Sequence, residues 1–170
     1  EQALARWPTH PGLRAARLHL AGFYGDPAAA RALLATPADL PGDLAPEALA
    51  AWRAFLAVRP GNDAQAARAV AHAADGGALD RQTAVLMLAQ LHDLDDAFSE
   101  AERIAGQPDR DPKFLFEPAT APLRRDPRFM ELATRFDLPA YWRGAGRWPD
   151  ACPGARTEHD CAAALAAPAR

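Results

Sequence analysis

The sequence predicts an all-α chain of paired helices, and three observations predict it. Ala supplies much of the 49% hydrophobic content. With Leu and Arg it favours helix, whereas the β-branched residues that strands prefer are scarce. Apolar side chains recur three and four positions apart in one segment after another. Pro, Gly and Asp stand between those segments, where helices start and stop. A chain of 170 residues is long enough for one domain with a real core.

Composition also narrows function. The formal net charge of −3 lacks the basic excess that nucleic acid requires, so no direct nucleic-acid contact is expected of this segment. No apolar run approaches the ~20 residues of a membrane span. Glu1-Gln2-Ala3-Leu4 reads as a helix already under way. The chain is therefore expected to be a piece of a longer protein, and a missing targeting signal bears little on its location.

Taken in order, Glu1 to Arg6 ends a helix closed by Trp7-Pro8. Pro11-Gly12 opens the next, in which Leu13, Ala16, Leu18, Leu20, Phe23 and Tyr24 form an apolar stripe. Gly25 ends it. Asp26-Pro27 is a cap followed by a first-turn proline, and Ala28 to Ala35 continues as a short helix. Thr36 to Pro46, with three prolines and a glycine, reads as a connection.

Pro46 opens a helix carrying Leu49, Trp52, Phe55 and Leu56, which Arg59-Pro60-Gly61 stops. Asn62 is expected to cap the helix Ala64 to Ala74, which Gly76-Gly77 ends. Asp80 caps the next, where Thr83 to Leu91 is apolar nearly all round and should lie between neighbours. The last of this series starts near Asp95 and holds Ala97, Phe98, Ala101 and Ile104.

Helix starts thus fall near 11, 26, 46, 62, 80 and 95. Alternate starts recur about every 34 residues, the spacing of tetratricopeptide repeats, in which stacked helix pairs bury faces that none covers alone. The third pair, AVLMLAQLHDLDDAFSEAERI, resembles such a repeat, with Asp95-Asp96-Ala97-Phe98 at the turn into its second helix. Gly25-Asp26-Pro27-Ala28-Ala29 resembles it more loosely. The residues lining a binding groove are not assignable from the pattern.

Seven of the thirteen aromatic residues fall between Phe114 and Cys161. PLRRDPRFMELATRFDLPAYW, then RWPDAC and HDC, resembles the ending of bacterial tetratricopeptide proteins, many fused to a winged-helix DNA-binding domain in the manner of CadC-like regulators. Ala151 departs, since an aromatic is usual before that Cys. The resemblance implies the effector or sensor half of a regulator. The residues read the same way. Asp126-Pro127 is a cap and first-turn pair, Phe129, Leu132, Ala133 and Phe136 form a stripe, and Asp137-Leu138-Pro139 breaks and restarts the helix at Ala140-Tyr141-Trp142. Such a segment can close the bare end of a stack. Burying its aromatics would contribute several kcal/mol at roughly 25 cal/mol per Å2 of apolar area. A ligand-binding aromatic pocket is the alternative.

Cys152 and Cys161 flank a loop containing Pro and Gly. A disulfide is favoured there over two unrelated thiols, and over a metal site at Cys152, His159 and Cys161, which has no evident fourth ligand. Oxidised cysteines imply a periplasmic location; the cytoplasm is the alternative. His10, His19, His72 and His92 make no paired metal spacing, and no nucleophile or phosphate-loop motif occurs. Asp93, Asp95 and Asp96 suit a capped turn better than a calcium loop. Arg124, Arg125 and Arg128 form the densest basic spot, more readily solvated or paired with Asp126 and Glu131 than open to an acidic partner.

These observations lead to an all-α, tetratricopeptide-like solenoid of about three helix pairs over residues 1–106, continuous with a capping segment over 107–170. No catalytic, cofactor or metal site is assigned. The expected role is a non-catalytic protein-interaction or signal-sensing module, with an oligomerisation scaffold or periplasmic adaptor as the alternative. The expected partner is a protein or peptide, another copy of the chain, or a small signal.

Overall fold

The computed structural model describes residues 2–42 and 44–146. Its first seven helices are α1 (Gln2–Arg6), α2 (Pro11–Tyr24), α3 (Pro27–Ala35), α4 (Pro46–Leu56), α5 (Asp63–Asp75), α6 (Arg81–Gln90) and α7 (Leu94–Ala105). From α2 onward each start lies within one residue of the start expected from sequence. The reason is local chemistry. Asp26 Oδ1 accepts from the Ala28 N–H at 2.8 Å, and Asp80 Oδ2 accepts from the Thr83 N–H at 2.9 Å. Each satisfies a first-turn donor that the helix itself leaves unpaired. Asp93 does the same for the Asp96 N–H at 3.4 Å.

Two caps differ from expectation. Asn62 makes no side-chain cap on α5; its Oδ1 accepts from the Arg59 N–H at 2.7 Å and closes the preceding turn instead. His10, an unexpected cap, accepts from the Leu13 N–H through Nδ1 at 3.4 Å.

From α2 to α7 each helix packs on the next in the chain. The α3–α4 step is clipped in both directions: Arg31 donates to the Leu56 carbonyl at 3.1 Å and Arg53 to the Leu34 carbonyl at 3.3 Å. These carbonyls belong to helix ends, where arginine supplies the missing donor and suits the negative dipole terminus. Phe23 of α2 meets both Trp52 and Phe55 of α4, at ring separations of 5.3 and 5.5 Å. Gly22 permits that approach, because a Cβ there would run into the Trp52 ring. Six consecutive residues of α6, Ala84 to Ala89, are buried. The all-round apolarity of this helix follows from its place between α5, α7 and the C-terminal segment.

That segment begins with two 3-10 turns, Pro112–Phe116 and Pro118–Thr120, and continues as α8 (Ala121–Arg125), α9 (Phe129–Arg135) and α10 (Leu138–Ala145). It packs on α6 and α7. Phe114, Leu123, Phe129, Phe136 and Trp142 are buried there, whereas Tyr141 stays 70% exposed. Asp126 does not start α9 directly: its Oδ1 accepts from the Arg128 N–H at 2.9 Å, and the helix begins at Phe129. Asp137 breaks the chain between α9 and α10 by adopting a left-handed φ of 59°. Ten α-helices and no strand among the described residues, with helix at 73%, fix the class as all-α.

One expectation is corrected. The periplasmic location rested on a disulfide between Cys152 and Cys161. No disulfide is indicated, so the physical reason for an oxidising compartment falls away. Both cysteines and His159 lie outside the described residues.

Candidate functional site

A groove of about 720 Å3 is formed by α1, α2 and α3. Leu4, Leu13, Ala16, Leu20, Ala29 and Leu33 line it, with Arg17, Asp26 and Asp39 among its polar residues. The α2 stripe read from the sequence therefore divides. Leu18 and Phe23 are buried in the core, while Leu20 is 60% and Tyr24 41% exposed. Periodicity identified the apolar face of α2, but the stack covers only part of it. Arg17 lies 3.7 Å from the Asp39 carboxylate at the groove.

On another side of α2, two residues reach the C-terminal segment. The Tyr24 hydroxyl donates to Glu117 Oε2, and His19 Nε2 lies 3.3 Å from the same oxygen. The Ala119 N–H also hydrogen-bonds the Tyr24 oxygen. Burial raises the Tyr24 phenol above its ordinary 10.0, and the hydrogen bond and negative charge of Glu117 push it the same way. His19 packs edge-on against Phe23, with ring centroids 4.8 Å apart. One carboxylate thus ties the first helical pair to a segment more than ninety positions later.

The basic spot expected at Arg124, Arg125 and Arg128 does not form one open surface. Arg124 donates to the carbonyls of Leu115 and Glu117, at 2.7 and 2.9 Å, and to Thr120 Oγ1 at 3.0 Å. Burial lowers its pKa, and the neighbouring Arg125 adds to the effect. Arg128 bonds Asp126 and, at 2.7 Å, Asp95, and its guanidinium lies 4.3 Å from the Phe98 ring centroid. Glu131 pairs with Arg135 at 3.3 Å rather than with Arg128.

A second ionic group was missed in the sequence. Glu100 of α7 is buried at 4% exposure and pairs with Arg81 and Arg103, and Arg103 also holds Asp75. Its sequence signal is a carboxylate within an otherwise apolar heptad face, beside Ala97, Ala101 and Ile104. Asp96 nearby is held above the usual carboxylate range, first by burial and then by Asp93, Asp75, Glu100 and Asp95.

Among the described residues no group of three or more His, Cys, Asp and Glu side chains is arranged to hold a metal ion. Asp93 serves as the cap of α7, and Asp95 receives Arg128. His10 caps α2, His19 meets Glu117, and His92 occupies a left-handed turn at φ 59°. No helix among the described residues is long and apolar enough to cross a membrane. Comparison of the chain with protein-family models, curated proteins and solved structures finds no match.

Proposed function

We propose that the chain is a tetratricopeptide-like solenoid acting as a non-catalytic interaction or signal-sensing module, the effector part of a larger bacterial regulator. The observation that carries this reading is the apolar groove on α1, α2 and α3. Leu20, 60% exposed beside the half-buried Leu13 and the exposed Ala16, places apolar surface on the outside of the fold, as interaction sites do. The recurrence of helix starts at Pro11, Pro46 and Arg81 supports the solenoid. The motifs of the C-terminal segment support the regulator by resemblance. Arg124 and Arg128 of the basic spot are committed to internal carbonyls and carboxylates.

Selecting a displayed peptide library on the immobilised chain tests the reading. Enriched peptides should bind the free chain saturably in solution and emerge chemically unchanged. A chain that enriches nothing, yet forms a stable homodimer, would instead be an assembly scaffold. A chain that cleaves or modifies the enriched peptides would be an enzyme.

A further inference from the structure

We propose that residues 112–120 form a strap that holds the first helix pair, α2 and α3, at a fixed angle to the helices that follow, and that the pair tilts as one unit when the strap lets go. Such a strap works whether or not the groove takes a peptide, so its test is separate from that of the interaction reading.

The contacts form a ring. α2 packs on α3, α3 on α4, α4 on α5 and α5 on α6. The 3-10 turn Pro118–Thr120 packs on α6, and the adjoining Glu117 returns to α2 through Tyr24 and His19. In an open succession of helices the end pair is held by its one neighbour. Closing the ring holds α2 along a second side, and the strap thereby sets the angle of the pair.

The links of the ring differ in strength. On the strap side, Phe114, Leu115, Ala119 and Thr120 are at most 3% exposed. The Thr120 hydroxyl lies 2.9 Å from both the Phe114 and the Glu117 carbonyl, and Arg124 donates to the Leu115 and Glu117 carbonyls. The Glu117 backbone is thus fixed without help from α2, and Arg124 is a positioning residue for the carboxylate that reaches across. On the opposite side, Arg31 and Arg53 clip α3 to α4, and Phe23 meets Trp52 and Phe55. The return link is weaker. Tyr24 is 41% exposed, and the His19 and Glu117 side chains are 31% and 32% exposed. Polar bonds between groups so exposed contribute little. Local opening starts where few buried contacts hold the structure, so the ring opens at Glu117. What this frees is α2 together with α3, still hinged on α4. Because one link serves both sides, whatever draws α2 away loosens the strap, and whatever moves the strap loosens α2, by the same free energy.

Amide hydrogen exchange of the full chain in Glu117→Ala and Tyr24→Phe tests the strap. Both side chains are part-exposed, so both variants should fold. Glu117→Ala should speed exchange throughout α2 and α3 by a common factor of about two to five, with α4 to α6 as in the wild type. Tyr24→Phe should do the same and should also speed the amides between Lys113 and Thr120. The double variant should be no faster than the faster single one, since either change opens the same link. Arg124→Met should reproduce the effect on α2 and α3, and Arg124→Lys, which keeps a donor for the carbonyls, should partly restore the wild-type rates. Faster exchange confined to the neighbours of positions 24 and 117, with α3 unchanged, would overturn the unit motion. Faster exchange in α4 to α6 as well would show a general loss of stability, against the strap. Unchanged rates in α2, or factors that multiply in the double variant, would refute the shared link. Wild-type rates in Arg124→Met would remove Arg124 from the device.

Discussion

Glu100 is the residue on which most local charge depends. It is buried, and its two arginines are 31% and 47% exposed. Removing both arginines would strand a carboxylate in the core, at a cost of about 3–5 kcal/mol. Replacing Glu100 by Leu should cost far less, because Arg81 and Arg103 can turn to solvent and the packing survives. Denaturant unfolding of Arg81→Ala/Arg103→Ala beside Glu100→Leu checks this; equal losses would contradict it. Asp96 makes the opposite case. Its carboxylate is held above the usual range by burial and by four acidic neighbours, so ionisation at neutral pH works against the fold. Asp96→Asn should raise the thermal midpoint at pH 7, and the gain should vanish in acid as wild-type Asp96 takes up its proton. Tyr24 titrates at the other end of the scale. A phenol pKa raised above 10.0 means that its contribution is fully present below pH 10. It is lost as pH rises beyond that, when the unfolded phenol ionises first. The stability difference between wild type and Tyr24→Phe should shrink above pH 10.

At the scale of helices, the contact of α2 with α4 turns on Gly22. Alanine in a helix interior is worth about 1 kcal/mol over glycine, yet a Cβ at this position would run into Trp52. Overpacking costs about 1–3 kcal/mol, so Gly22→Ala should destabilise, and Trp52→Phe should partly rescue it. Simple additivity of the two changes, measured by chemical unfolding, would contradict the packing account. This glycine marks the limit of what the sequence makes legible. The starts of α2 to α7 could be read because Pro, Asp and Gly act on their immediate neighbours. The burial of α6 could be read because its apolarity runs all round. Gly22 could not, since nothing near it in the chain names the tryptophan it admits. Asn62 misled for a related reason: its side chain had two local partners, and the Arg59 N–H prevailed over the first turn of α5. Leu20 and Tyr24 belong to the apolar stripe of α2, but periodicity shows which face is apolar and not whether a neighbour covers it. The pairing of Arg128 with Asp126 could be read because the two are close in the chain, whereas the Leu115 and Glu117 carbonyls and Asp95 become acceptors only on folding.

For the whole molecule, a succession of helices that touch only their neighbours would unfold from its ends. Glu117 opposes that, joining His19 and Tyr24 of α2 to the segment packed on α6 and α7. The groups are part-exposed, so the Tyr24–Glu117 coupling should be about 0.5–1 kcal/mol in a double-mutant cycle of Tyr24→Phe and Glu117→Gln. In Glu117→Gln the amides of α2 should exchange faster while those of α6 stay protected. The same helix lines the groove of the central claim, that the chain binds its partner at α1, α2 and α3. Amide hydrogen exchange of the full chain, with and without a peptide enriched from the displayed library, tests it most directly. The account predicts new protection confined to α1, α2 and α3, absent in Leu20→Lys. Protection centred on α6, α7 or α10, or none at saturating peptide, would contradict it.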